Sequence, residues 1–260
     1  MGSFPKVYNR DTYIDWHNRN IEPSKDIIVE IDKLLISLKD EQKTRLENLA
    51  QLLSRIDSFN LLSRRSQKKD ISDSQTDILL EKALRPEGYD LLFKSSDSIL
   101  DKLWRKNKER TPSNYVTSEN IKNEIGDLIR TSVVTSTFEY AEQFANSVLI
   151  WESLIKEFNL DQAAYADIEK IESQEEAKMQ NGYFAYHLNI RYSDGIRIEV
   201  QIYSRLSQIW RHLSHRLYER VRLGNDVSWG HGTAASRLVS LGHLLHLAEC
   251  EVEYLKETMG

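Results

Sequence analysis

The chain has little of what interrupts or crosslinks a fold. Its 260 residues include one cysteine, Cys250, four prolines with the last at Pro112, and ten glycines. A single thiol excludes a disulfide framework and a thiolate-held zinc. Scarce proline and glycine argue against a loop-rich all-β protein and for long helices. No apolar run approaches the roughly 18 residues that a membrane-spanning helix needs, and the polar amino terminus lacks the apolar heart of a secretion signal, so a cytoplasmic protein without membrane contact is expected. Cations are outnumbered: 35 Lys and Arg stand against 40 Asp and Glu, a net charge of -5. Bulk charge therefore excludes a general polyanion-binding surface, and a polyanion would have to meet local basic patches. With 40% hydrophobic residues the chain can bury a sizeable core.

What the chain does have is concentrated in Asn181-Gly182-Tyr183-Phe184-Ala185-Tyr186-His187 and Ile198-Glu199-Val200-Gln201-Ile202. Alternation places Tyr183, Ala185, His187 and Asn189 on one face of a strand and Phe184, Tyr186, Leu188 and Ile190 on the other. The second stretch alternates likewise, with Ile196, Ile198, Val200 and Ile202 opposed to Arg197, Glu199, Gln201 and Tyr203. Between them Ser193-Asp194-Gly195 reads as a tight turn, both Asp and Gly tolerating positive backbone angles. Burying the apolar faces brings a ring, an imidazole, a carboxylate and an amide together on the other face, where a carboxylate can bind a cation or take a proton.

Apolar positions at Ile27, Ile31, Leu34, Leu38, Leu46, Leu49, Leu53 and Ile56 have helical spacing, with a bend in the charged run 39–43. Residues 63–74 read as an exposed linker and 75–84 as a short helix ending before Pro86. Further along we expect a short strand at 89–93, a helix over 97–109 capped by Ser96, a helical turn at 120–125 and a strand at 127–136. A helix over 138–158, a strand at 164–171, a loop at 172–180, the hairpin, and two helices over 205–222 and 234–259 complete the pattern. The expected class is α+β, a mixed sheet flanked by helices. The expected division is an amino-terminal helical extension (1–87), a core (88–222) and a carboxy-terminal helix packed on it (223–260).

Two further constellations carry chemistry. Asp127 opens its strand and, if that strand lies beside the hairpin, Asp127 and Glu199 can share a magnesium ion, which prefers oxygen ligands. Two acids alone do not separate this from a solvated pair. In the run Lys94 to Lys106, Ser98, Lys102 and Arg105 or Lys106 recur every three to four residues behind Ser95 and Ser96 at a helix amino terminus. Such a face can hold a triphosphate, though on spacing alone a solvated basic face is the simpler reading.

Taken in order, these elements resemble the synthetase domain of the RelA/SpoT family. That domain shows Lys-Ser-x-x-Ser-Ile-x-x-Lys, an aspartate opening the next strand, Gly-Tyr-x-x-x-His, Glu-x-Gln and then a helix with Trp-x-x-x-x-His. Here these are Lys94 to Lys102, Asp127, Gly182-Tyr183 to His187, Glu199-Val200-Gln201 and Trp210 to His215, over roughly residues 88–222. The resemblance implies a nucleotidyltransferase-like mixed sheet of about five strands and a pyrophosphokinase that moves the β,γ-pyrophosphate of ATP to a ribose 3′-hydroxyl. It implies Mg2+ at Asp127 and Glu199, catalysis by Glu199, Asp127 and Gln201, and ATP held by Lys94, Ser98, Lys102, Arg105 and Arg130. It also implies an acceptor held by Tyr183, His187 and Lys178, with the tyrosine ring stacked on the base. Trp210 and His215 read as packing supports, and His212, His243 and His246, without acidic or cysteine partners at ligand spacing, as structural or surface residues.

The family divides by acceptor. Alarmone synthetases use GDP or GTP, whereas the toxic small members (toxSAS) modify the 3′-terminal adenosine of tRNA and stop translation, each neutralised by an antitoxin partner. Here the loop before Gly182 is Lys178-Met179-Gln180-Asn181, where alarmone synthetases usually place a lysine nearer to the Asn-Gly-Tyr, and Glu-x-Gln-Ile continues as Tyr203-Ser204 where they have Arg-Thr. Both departures remove cation from where the 5′ phosphates of a guanosine nucleotide would lie, so a tRNA acceptor is the expectation and GDP/GTP the alternative. A binding module without catalysis is a third reading, opposed by the retained Asp127, Glu199 and Tyr183. Arg64, Arg65, Lys68 and Lys69 are most simply a solvated linker and become an RNA-binding patch only with a nucleic-acid acceptor. The amino-terminal helices would cover the site, dock a partner or form an oligomer interface; oligomeric state stays open.

Overall fold

A computed structural model of the chain describes residues 2–69, 71–178, 181–222 and 230–259, with the side chains of 175–178 and 218–222 outside that description. Helices α1 (Arg10–Asn20), α2 (Ile27–Glu41) and α3 (Lys43–Ser66) lead into strand β1 (Thr76–Ile78) and the short α4 (Leu79–Ala83). Then come α5 (Ser96–Lys108), α6 (Ile121–Glu124), β2 (Ile129–Thr135), α7 (Phe138–Leu149) and α8 (Trp151–Glu157). Three consecutive strands follow, β3 (Ile168–Lys178), β4 (Tyr183–Tyr192) and β5 (Arg197–Ser204), before α9 (Arg205–Arg222) and α10 (Ala234–Met259).

The five strands form one mixed sheet in the order β1-β2-β5-β4-β3. β2 runs parallel to β5, and the other pairs are antiparallel. The face carrying Ile129, Val133, Leu188, Ile190, Ile198, Val200 and Ile202 is buried in one core with α3 and α7. The amino-terminal helices share that core through Tyr13, Ile27, Ile31, Leu46, Leu49, Leu53 and Ile56. Arg45 of α3 pins them to the hairpin: it pairs with Asp167 and Asp194 and lies 4.2 Å over the Tyr192 ring. The turn itself needs one positive φ, +84° at Gly195, while Asp194 contributes its carboxylate to the Ile196 amide instead.

Several local expectations are corrected. Residues 89–92 wind into a 3-10 turn and only Phe93 bridges to Ile129, because the Tyr89 hydroxyl is drawn to the Lys39 carbonyl. Residues 76–78 form β1 rather than helix, satisfying the outer edge of β2. The helix over 138–158 breaks at Ile150, so that Leu154 and Ile155 return to the core while Leu149 and Ile150 face solvent. The strand expected at 164–171 starts at Ile168, behind a 3-10 turn over Gln162–Tyr165, and the loop expected at 172–180 is strand through Lys178, paired along β4.

The linker at 63–74 is corrected most sharply. α3 continues to Ser66, and Arg64 is buried, ion-paired to Glu139, bonded to Gln143 and Ser74, and set over the Tyr140 ring. A guanidinium consumed in this way cannot meet RNA phosphates. Arg65, Lys68 and Lys69 remain exposed.

Candidate active site

The hairpin register sets His187 opposite Gln201 and Asn189 opposite Glu199, while the parallel pairing sets Arg130 beside Glu199. Alternation then places Arg130, Glu199, Gln201, His187 and Tyr183 on one face, opposite the buried one. The groups are linked. Tyr183 Oη and His187 Nε2 are 2.8 Å apart, His187 Nδ1 lies 3.9 Å from Glu199 Oε2, and Gln201 Nε2 donates to Glu199 Oε1 at 2.5 Å. The Glu199 carboxylate is thus oriented from both sides on a rigid sheet. Gln201 is buried, and its Oε1 has no hydrogen-bond partner among the described residues.

A second cluster lies off the start of β2. Asp127 does not open the strand, which begins two residues later at Ile129, but sits in the turn before it and accepts from Lys94 Nζ at 2.8 Å and Lys102 Nζ at 2.5 Å. Lys94 is delivered by the Phe93 to Ile129 bridge and by its own amide bond to the Leu128 carbonyl. Lys102 comes from the second turn of α5, whose amino cap is Ser95 and not Ser96; Ser96 is turned to Asp32 of α2. Burial alone would raise the Asp127 pKa, but the two ammonium groups outweigh it and hold it down at about 2. Burial pushes the Lys94 pKa down, Asp127 opposes that shift, and the charges of Lys102 and Arg130 add to it. Arg130 therefore connects the lysine cluster to the Glu199 face.

The signs of these shifts set a pH dependence. A carboxyl held at about 2 when folded, against about 3.9 when unfolded, contributes roughly 2.5 kcal/mol that is present above pH 4 and lost as pH falls toward 2. The Asp127→Asn variant lacks this contribution. Its stability deficit, read by denaturant unfolding, should therefore be full at pH 7 and shrink between pH 4 and 2; a deficit independent of pH would contradict the ion cluster.

Trp210 of α9 and the start of α10 close the cavity over the sheet face. Trp210 is buried, its ring centroid is 5.8 Å from that of Tyr183, and its Nε1 donates to the Leu238 carbonyl at 2.7 Å. α10 seats here because two glycines meet: a Cβ on Gly242 would lie 2.1 Å from the Gly182 carbonyl oxygen, and Gly182 has φ +69°. The helix then passes round the sheet end, with His246 stacked on Phe184 at 3.7 Å and Glu249 accepting from Ser204 on the opposite face. The cavity enclosed is about 530 Å³, with Tyr183, His187, Gln201, Arg130, Arg211 and His215 on its wall, a size that suits a nucleoside.

Not every expected residue joins. Ser98 hydrogen-bonds with the cap residue Ser95. Arg105, half exposed, is held by Asp101 on its own helix rather than turned with Lys102. The backbone of Lys178 pairs with Tyr183, but its side chain and Met179 lie outside the described residues. Asn181, Arg211 and the glycine contact at 242 were not anticipated; a lone glycine inside the apolar run Leu238 to Leu247 was the available signal for the last. His212 is exposed and His243 bonds a backbone carbonyl. Among the described residues no group of three or more His, Cys, Asp or Glu side chains could hold a metal ion, and no helix is long and apolar enough to cross a membrane.

No family model matches the chain, and no curated protein matches it. Solved structures do. A GTP pyrophosphokinase family protein from Streptococcus pneumoniae is similar at 15% identity over 86% of this chain and 90% of that one, with a TM-score of 0.47. Small alarmone synthetase 1 from Bacillus subtilis, bound to its product pppGpp, is similar at 17% identity over 64% and 76%, with a TM-score of 0.42. The same synthetase bound to AMPCPP gives 13% identity over 84% and 93%, with a TM-score of 0.45.

Proposed function

We propose that the protein is an ATP-dependent pyrophosphokinase acting on a ribose 3′-hydroxyl, with the 3′-terminal adenosine of deacylated tRNA as acceptor, and that it inhibits translation as the toxin of a toxin-antitoxin pair. The observation that carries the reading is the pairing of a fixed carboxylate with cations across one sheet face: Glu199 held by Gln201 beside His187, with Arg130 in register and Lys94 and Lys102 beyond it.

In this reading the acceptor base stacks on Tyr183, within the cavity also walled by Trp210. The 3′-hydroxyl donates toward Glu199, which takes its proton as the oxygen bonds to the β-phosphorus of ATP. The bond from that phosphorus to the α,β-bridging oxygen breaks, and AMP leaves with the electron pair. Lys94 and Lys102 exchange the Asp127 carboxylate for triphosphate oxygens, a like-for-like trade of anionic partners, and Arg130 neutralises charge growing on the transferred group. The donor set is compatible with Mg2+, whose protein ligands are commonly one or two carboxylates beside phosphate and water oxygens. Asp127 and Glu199 would hold it, and it would supply charge neutralisation at the phosphates.

The acceptor is decided by supplying γ-labelled ATP with deacylated tRNA or with GDP. Label on the tRNA 3′ end is expected. Label in a guanosine product alone would establish the alarmone alternative, and consumption of ATP with neither acceptor labelled would reject both.

A further inference from the structure

Beside the acceptor cavity lies a second groove with no role so far. It is about 350 Å³, floored by Leu213, Leu217, Leu238 and Leu241 and flanked by Arg216 of α9 and Arg237 of α10. Leu217 and Leu238 also line the acceptor cavity, so the two hollows adjoin. The surroundings are cationic in an otherwise acidic protein. From Arg205 to Leu217, α9 carries three arginines, two histidines and no acidic residue. Arg45, Arg64, Arg105 and Arg110 elsewhere each have a carboxylate partner. Arg211 donates instead to His215, Arg237 to the Gly232 carbonyl, and Arg216 stands exposed, none of the three in an ion pair among the described residues. Arg211 is further fixed 5.0 Å over the Tyr203 ring.

We propose that this groove is a second nucleotide subsite, which receives the nucleotide preceding the terminal one of an RNA 3′ end. The inference rests on the pyrophosphokinase reading with an RNA acceptor. An apolar floor accepts the face of any base, and two guanidiniums with no ion-pair partner among the described residues meet the linking phosphate. A free nucleoside diphosphate fills only the first cavity, so the groove would distinguish a polynucleotide end from a mononucleotide. It also replaces Arg64 as the source of phosphate contacts.

The test uses a short single-stranded RNA with a 3′-terminal adenosine, its binding to the full chain followed by fluorescence anisotropy across a salt series, and the KM for deacylated tRNA in the label-transfer assay. The Arg216→Ala/Arg237→Ala variant should bind the RNA about tenfold more weakly at low salt, with the slope of log affinity against log salt reduced by about 1 to 2, and with a correspondingly raised tRNA KM. Arg216→Lys/Arg237→Lys should recover most of the affinity, and since both sites are exposed the unfolding midpoint should barely move. If the parent labels tRNA but the alanine variant keeps its affinity, salt slope and KM, the subsite is overturned while the acceptor reading stands. That same result is the one expected of a surface made for an acidic protein segment. If the parent labels GDP alone, the acceptor reading fails and the subsite with it.

Discussion

Glu199→Gln is expected to lower pyrophosphate transfer from ATP about 10³-fold or more while leaving the protein folded, because a general base and a negative charge beside the reacting groups are removed together. The substitution is nearly isosteric. Gln201 can still donate to the remaining carbonyl oxygen, where it now donates to Glu199 Oε1, so the sheet keeps its packing and unfolding should shift by less than about 1 kcal/mol. The amide cannot take the hydroxyl proton at neutral pH. It also removes a negative charge from the position in register with Arg130. Steady-state rates on purified protein, read beside the unfolding curve, separate the two effects. Activity within tenfold of the parent would remove Glu199 from the chemistry.

Gly242→Val should be the most damaging change away from the chemistry, costing about 4 kcal/mol, which is the upper range for single substitutions. Even the first carbon of a side chain would lie 2.1 Å from the Gly182 carbonyl oxygen and 2.7 Å from Trp210 Nε1, so backbone must move. Gly182 cannot yield easily, since a Cβ there would itself sit 2.6 Å from the Val239 carbonyl. Lifting α10 breaks the Trp210 bond to the Leu238 carbonyl and opens the wall beside Tyr183. The unfolding midpoint should drop and the acceptor KM rise together, whereas the ion cluster around Asp127 lies on other elements. A parent-like midpoint would mean that α10 is not seated on Gly182.

The β4–β5 hairpin was legible because its signals are local: strict alternation from Tyr183 to Ile190 and from Ile196 to Tyr203, and a turn glycine that needs positive φ. Helices α9 and α10 were equally plain, and both occur with the expected bounds. Strand β3 was read as a loop along most of its length because Glu169 to Lys178 is so polar; at the sheet edge, pairing with β4 supplies what its side chains do not, and charge suits an edge. Helix α1 escaped because its sequence is polar apart from Tyr13, Ile14 and Trp16, and it is held by burial of the two larger rings among Phe4 and Tyr115. Arg64 looked like one cation in a basic linker because its partners Glu139 and Gln143 lie more than seventy residues away. The ion cluster at Asp127 was half visible: the acid and both lysines were picked out, but their contact depends on α5 meeting the turn before β2, which no local pattern encodes.

The most direct test of the central claim is the identity of what ATP leaves behind. With acceptor supplied and every ATP product resolved by chromatography, attack at the β-phosphorus predicts AMP, released in equal amount to acceptor gaining both the β and the γ phosphorus. Release of ADP would mean transfer of a single phosphoryl group, release of pyrophosphate would mean nucleotidyl transfer, and either in place of AMP would contradict the account.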